Sequence, residues 1–190
     1  HILETLEALQ QLVDDGKIRQ IGLSNDSCWG INQWLQIAET NHLPRVATTQ
    51  NEYSLMCRTY DLDLAELSHN ENVGLLAYSP LATGLLTGKY SSNKIPEGSR
   101  RSIAPDLGER FDDNSSAVAD AYVTVAKKHG LDPSQMALAF CNQRPFVTSS
   151  IIGATNLAQL ATNIGSTELQ LNEEVLKDIF EIYRKNPMPF

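Results

Sequence analysis

The chain has 190 residues, 42% hydrophobic and 20% charged, with a net charge of −8: enough for one domain over residues 1–190 with a sizeable core. No Lys/Arg block stands out, which argues against a nucleic-acid partner, and neither an apolar run of roughly 20 residues nor a signal-peptide pattern points to a membrane. Three cysteines, Cys28, Cys57 and Cys141, lack CxxC or metal-type spacing and suggest reduced thiols in a cytoplasmic compartment.

Residues 2–14 place Ile2, Leu6, Leu9 and Val13 on one helical stripe, and Gly16 suits the C′ position after it. Ile18 to Leu23 reads as a short strand ending in Ser24-Asn25. Ile31, Trp34, Leu35 and Ala38 recur at helical spacing, and Pro44 stops that helix. Val46 to Thr49 is the next strand, followed by Gln50-Asn51-Glu52-Tyr53, and Asp61 to Ser68 is helical.

The apolar run Val73 to Ala77 predicts a buried strand that breaks at Tyr78-Ser79-Pro80. Tyr90 to Asn114 forms a long polar loop, of a length that is usually functional or disordered. Ala117 to His129 is a helix closed by Gly130, and Asp132-Pro133-Ser134-Gln135 opens another with a cap and a proline at its first position. Ser149 to Ile152 is the last strand. Helices over Thr155 to Ser166 and Asn172 to Arg184 complete the chain, and its proline-rich tail is either docked or frayed.

Alternation of strands and helices predicts an α/β fold with a parallel sheet and outer helices. A complete (β/α)8 barrel takes about 250 residues and eight strands. Four strands, preceded by a helix, fit the C-terminal half of a (β/α)8 TIM barrel, and a small open doubly wound sheet is the rival. Either fold binds ligands at the carboxyl ends of its strands. Ser24, Asn25, Gln50 and Tyr78 each follow a strand, bringing hydroxyl, amide and aromatic groups suited to a carboxamide and a flat heterocycle.

At the last junction, Gly153-Ala154-Thr155-Asn156 leads into a helix whose N-terminus favours an anion. Thr155, Gln159, Thr162 and Asn163 are expected on one uncharged polar stripe, with Leu157, Leu160, Ala161 and Ile164 opposite. A plain capped amphipathic helix would show the same spacing. No GxGxxG occurs, and Gly84 to Lys89 is one residue short of a P-loop, with Tyr90 where magnesium binding needs Ser/Thr. His42, His69 and His129 lie near helix ends, a structural placement.

Four stretches in order, Gly16 to Asn25, Gln50 to Leu55, Ala77 to Ala82 with Gly84 to Tyr90, and Ile152 to Asn156 with Gln159, Leu160 and Asn163, resemble the aldo-keto reductases. The Tas-like branch, itself similar to potassium-channel beta subunits, is the part of the family they resemble most. The resemblance spans essentially the whole chain and implies an NADP(H)-dependent oxidoreductase that interconverts carbonyls and alcohols. Ser24, Asn25 and Gln50 would hold the nicotinamide carboxamide and Tyr78 would stack on the ring. Ser79, Pro80, Leu81, Ala82, Lys89 and Arg100 would line the pyrophosphate, and Gly153, Thr155, Gln159 and Asn163 the adenosine 2′-phosphate end.

The family's catalytic Asp, Tyr, Lys and His come from the first half of its barrel, which has no counterpart here, so no catalytic residue is assigned. The aldehyde or ketone substrate would be met through that other half. Two alternatives follow: a cofactor-sensing module like the channel beta subunits, or an inactive fragment that associates through unpaired sheet edges.

Overall fold

The computed structural model describes residues 1–190. Four parallel strands form one sheet in the order β1-β2-β3-β4: β1 (Ile21–Ser24), β2 (Val46–Glu52), β3 (Gly74–Tyr78) and β4 (Val147–Ser150). The helices are α1 (Ile2–Asp14), α2 (Cys28–Thr40), α3 (Leu64–Glu71), the short α4 (Arg100–Ile103), α5 (Asp113–Lys128), α6 (Pro133–Asn142), α7 (Leu157–Gly165) and α8 (Glu173–Lys185). This is an α/β fold corresponding to part of a (β/α)8 barrel. No helix is long and apolar enough to cross a membrane.

One face of the sheet is buried at Ile21, Thr49, Leu75 and Ala77. The other carries Ser24, Gln50, Leu76 and Ser149 in one register row, of which all but Leu76 are exposed. Side chains alternate between faces of a strand, so this row is the concave wall of the partial barrel. Under the buried face, Tyr53 stacks on Phe140 with ring centroids 6.1 Å apart and meets Phe146 edge-on at 5.3 Å. The Tyr53 hydroxyl donates to Asp61 at 2.8 Å, and Arg58 pairs with the same carboxylate at 2.6 Å. Cys141 is fully buried, and burial pushes its thiol up to about 12.

Several boundaries differ from the sequence-based expectation. β1 begins at Ile21 rather than Ile18, because the Lys17 and Ile18 N–H groups turn back to the Leu12 carbonyl at 2.9 and 3.3 Å. Gly16, left-handed at φ 68°, makes that turn. β2 runs to Glu52 rather than Thr49: Asn51 and Glu52 pair with Ala77 and Tyr78, so the neighbouring strand overrides their low strand propensity. The last strand lies two residues earlier than expected, since the Phe146 carbonyl already accepts Leu75 N–H at 2.8 Å. A capping box between Asp112 and Ser115 starts α5 at Asp113, four residues before the expected start.

The loop from Tyr90 to Asn114 is folded around its own contacts. The Tyr90 hydroxyl accepts Arg101 N–H at 3.2 Å, and the Arg101 guanidinium lies 3.4 Å over the Phe111 ring while donating to Asn93 at 2.6 Å. The tail is docked: Pro189 is buried and its carbonyl accepts the Asn114 amide at 2.9 Å.

Candidate functional site

Three strand ends are stitched together at one rim of the sheet. Ser24 closes β1, and its hydroxyl donates to the Gln50 carbonyl at 3.2 Å. Asn25 follows in the left-handed region at φ 55°, which asparagine tolerates better than most residues, and its N–H donates to the same carbonyl at 3.1 Å. That turn aims its side chain across β2, where Oδ1 accepts the Tyr78 hydroxyl at 3.0 Å. Burial, and then the nearby Glu52 carboxylate, hold the Tyr78 phenol above its ordinary value, so it stays a proton donor at neutral pH.

Gln50 differs from its expected place. It is not a residue after the strand but the fifth of the seven in β2, exposed on the concave wall beside Ser24 and Leu76.

Beyond β3 the chain makes a tight turn with Ser79, Ala82, Thr83 and Gly84 all at positive φ, 52°, 46°, 55° and 100°. Pro80 and Ala82 are buried, and Ser79 and Leu81 half-buried. The turn is closed by Ala82 N–H to the Ser79 carbonyl at 2.8 Å and Gly84 N–H to the Leu81 carbonyl at 2.9 Å. Lys89 lies over it: a Cβ on Gly84 would come within 2.8 Å of Lys89 Cε and 2.9 Å of Nζ. Glycine here lets the ammonium rest against the turn. Arg100 opens α4 and is exposed, whereas its neighbour Arg101 is the buried one.

At the end of β4 the expected stripe does not form as one face. Thr155 precedes the helix, Asn156 caps it by accepting Gln159 N–H at 2.9 Å, and Gln159 Oε1 accepts both the N–H and the hydroxyl of Thr155 at 2.9 and 3.0 Å. Asn163 is buried rather than solvated, 6% exposed, whereas the apolar side is the exposed one, Leu157 at 83% and Ile164 at 57%. Beside Asn163, the Thr162 carbonyl accepts Gln135 from α6 at 3.1 Å, whereas Thr155 and Gln159 stay exposed. Gly153 is exposed, with open space where a side chain would start.

The structure therefore brings Ser24, Asn25, Gln50 and Tyr78 into one cluster, with the turn from Ser79 to Lys89 continuing from it. Gly153, Thr155 and Gln159 follow the adjacent strand β4, and Asn163 lines a groove of about 380 Å³ with Asn142, Ser149 and Ile152. A groove of about 320 Å³ between α5 and α8, around Lys128 and Asp178, holds none of these residues. Sequence reasoning missed Glu52 and Arg110 as a pair, because only the fold brings residues 58 positions apart into two contacts at 2.9 and 2.6 Å.

The sequence model of the Aldo/keto reductase family matches residues 1–184. The chain belongs to the aldo/keto reductase family. It is 44% identical to "Protein tas" of Escherichia coli (strain K12) over 188 residues, covering 99% of this chain and 54% of that protein. It is 36% identical to an "Aldo-keto reductase" of Babesia bovis, over 85% of this chain and 59% of the relative. A "Probable voltage-gated potassium channel subunit beta" of Arabidopsis thaliana is 30% identical over 98% of this chain and 58% of its own length. This aldo/keto reductase chain thus spans between 54% and 59% of the length of these relatives.

Proposed function

We propose that this chain is the dinucleotide-holding part of an NADP(H)-dependent oxidoreductase that interconverts small aldehydes or ketones with alcohols. The observation that carries it is the hydrogen bond from Tyr78 to Asn25 at 3.0 Å, which gathers a flat ring and an amide at one mouth of the sheet. The donor set fits the group. Ser24, Asn25 and Gln50 offer hydroxyl and amide partners for a carboxamide, and Tyr78 a ring for stacking.

The Ser79–Ala82 turn, Lys89 and the exposed Arg100 offer backbone curvature and two cations for phosphates. Gly153, Thr155, Gln159 and Asn163 are assigned to the adenosine end. When bound, the nicotinamide would supply a hydride; this chain's residues would hold and orient it. The residue that donates a proton to the carbonyl oxygen is assigned, by family resemblance, to the half of the barrel that precedes these strands.

Titration with NADPH, followed by quenching of Trp29 and Trp34 fluorescence, tests this proposal. A stacking contact worth about 1.4 kcal/mol is roughly a tenfold change in Kd. Tyr78→Ala is expected to weaken NADPH binding by about that factor, while Tyr78→Phe, which keeps the ring, loses less. No quenching of the wild-type chain by millimolar NADPH overturns the proposal, and equal affinity for NADH removes the 2′-phosphate preference.

A second reading is a cofactor-sensing regulatory subunit with little turnover; the Arabidopsis relative is named as a probable channel subunit beta. Bound NADPH that no aldehyde oxidises, in a protein carrying both halves of the barrel, would select it.

A further inference from the structure

The exposed Ile164 of α7 lies in the groove beside β4, at an open side of the sheet, but two other exposed apolar residues have no such setting. Trp29 is 72% exposed in the first turn of α2, and Leu62 is 74% exposed two residues before α3. Helix α2 packs against both α1 and α3, so an unpaired sheet edge does not account for either side chain.

Both residues project from backbone that is already fixed. Asp26 accepts the Ser27 N–H at 2.8 Å, and its carboxylate fills the space a side chain on Gly30 would need. The Ser27 hydroxyl then caps α2 by accepting the Gly30 N–H at 3.0 Å. Leu62 follows the short turn Thr59–Asp61, where its N–H donates to the Thr59 carbonyl at 3.2 Å. Asp61 is itself held by Tyr53 and Arg58. Neither turn draws on the indole or the leucine side chain. Large apolar groups held in water on rigid turns are the anchors that protein contacts use, tryptophan above all.

The starts of the two helices are neighbours. Burial first, and then the Asp63 and Glu66 carboxylates, push the Cys28 thiol up, so both acids act on the residue next to Trp29. Asp63 in turn adjoins Leu62. Asp63 and Glu66 are exposed and Asp26 is half-buried, and no ion pair of the chain uses any of the three. The helix dipole explains carboxylates at helix starts. It does not explain an exposed indole and an exposed leucine beside them.

We propose that the starts of α2 and α3 dock a partner protein segment carrying an apolar side chain flanked by Lys or Arg. Its apolar group would lie against Trp29 and Leu62, and its cations against Asp26, Asp63 and Glu66. Charge decides the occupant. Unpaired carboxylates on a chain of net charge −8 repel acidic partners and anionic lipid surfaces, and the face of an indole attracts cations. A second copy would set these carboxylates against themselves across a two-fold contact. Five side chains make a small surface, which suits a transient contact. Neither Trp29 nor Leu62 belongs to the candidate dinucleotide site, so the inference stands apart from that reading.

The test uses the full chain carrying Trp34→Phe, so that Trp29 alone reports. The probe is an amphipathic peptide of Lys and Leu, compared with a Lys–Ser peptide of the same length and charge. The Lys–Leu peptide is expected to shift Trp29 emission to the blue and to bind more weakly as salt rises. The Lys–Ser peptide should bind at least about tenfold more weakly. With a labelled peptide read by anisotropy, Trp29→Ala and Leu62→Ala should each cost about tenfold in Kd. Asp63→Asn with Glu66→Gln should weaken binding severalfold and flatten its salt dependence, whereas Glu173→Gln with Glu174→Gln, at the start of α8, should leave it unchanged.

Equal affinity for the two peptides, or wild-type affinity in both Trp29→Ala and Leu62→Ala, would overturn the proposal. So would an equal loss from the substitutions on α8, because the acidic surface as a whole would then be attracting the peptide. A blue shift with phosphatidylcholine vesicles and none with the Lys–Leu peptide would assign the surface to lipid instead. Self-association abolished by Trp29→Ala would assign it to a second copy, and either result overturns the docking of a basic partner.

Discussion

At residue level the turn after β3 is the most demanding part of the site. Gly84 is buried at φ 100°, and Lys89 occupies the space a side chain would need, 2.8 Å from Cε. Gly84→Ala must therefore adopt a disfavoured backbone and displace the lysine together. A loss of about 2 kcal/mol of stability is expected, read as a lower urea midpoint with an unchanged slope. A midpoint equal to wild type would show that the turn relaxes freely and that Lys89 is not held by it. Asn25 carries a related demand at φ 55°, met by an asparagine whose side chain is also the acceptor for Tyr78. Gln50 and Asn163 were legible as polar residues near strand and helix ends, but their burial was not: one lies on an open wall and the other is 6% exposed.

At the level of elements, α5 and α8 are joined by one acidic acceptor. Asp178 accepts Lys128 at 2.6 Å and His129 at 2.7 Å. Hydrogen bonds from Lys128, and then from His129, hold its carboxyl below the ordinary carboxylate range. A carboxyl depressed by folding stabilises the native state fully above its unfolded value, near about 4, and the gain is lost as pH falls through the lower folded value. Asp178→Asn should therefore lower Tm at pH 7, and the two melting temperatures should converge as pH falls through the depressed carboxyl value. A gap of constant size from pH 7 to pH 2 would show that the contact acts through packing and not through charge. Helix α7 makes a separate point. Its presence was readable from its spacing, yet its apolar side faces outward, with Leu160 39% exposed beside Leu157 and Ile164.

For the whole molecule, the four-strand order leaves the outer edges of β1 and β4 unpaired and the concave row of Ser24, Gln50 and Ser149 open. Unpaired edges beside exposed apolar side chains favour association. The 190-residue chain expressed by itself is expected to sediment as larger species as its concentration rises, and Leu157→Gln with Ile164→Gln should reduce that tendency. A monodisperse monomer across the accessible concentration range would contradict it. Taken alone, the sequence determined the order and kind of the elements, because caps, prolines and hydrophobic period are local signals carried by neighbours in the chain. It also determined which motifs sit at the strand ends, and through them the family. Only the tertiary structure decided that β2 extends to Glu52, that Arg110 closes on that residue, and that Asn163 of α7 is buried. Each depends on a partner far away in the chain, from 26 residues between β2 and Tyr78 to 58 between Glu52 and Arg110. Such pairings leave no mark in local composition, since the groups involved would look equally at home in solvent.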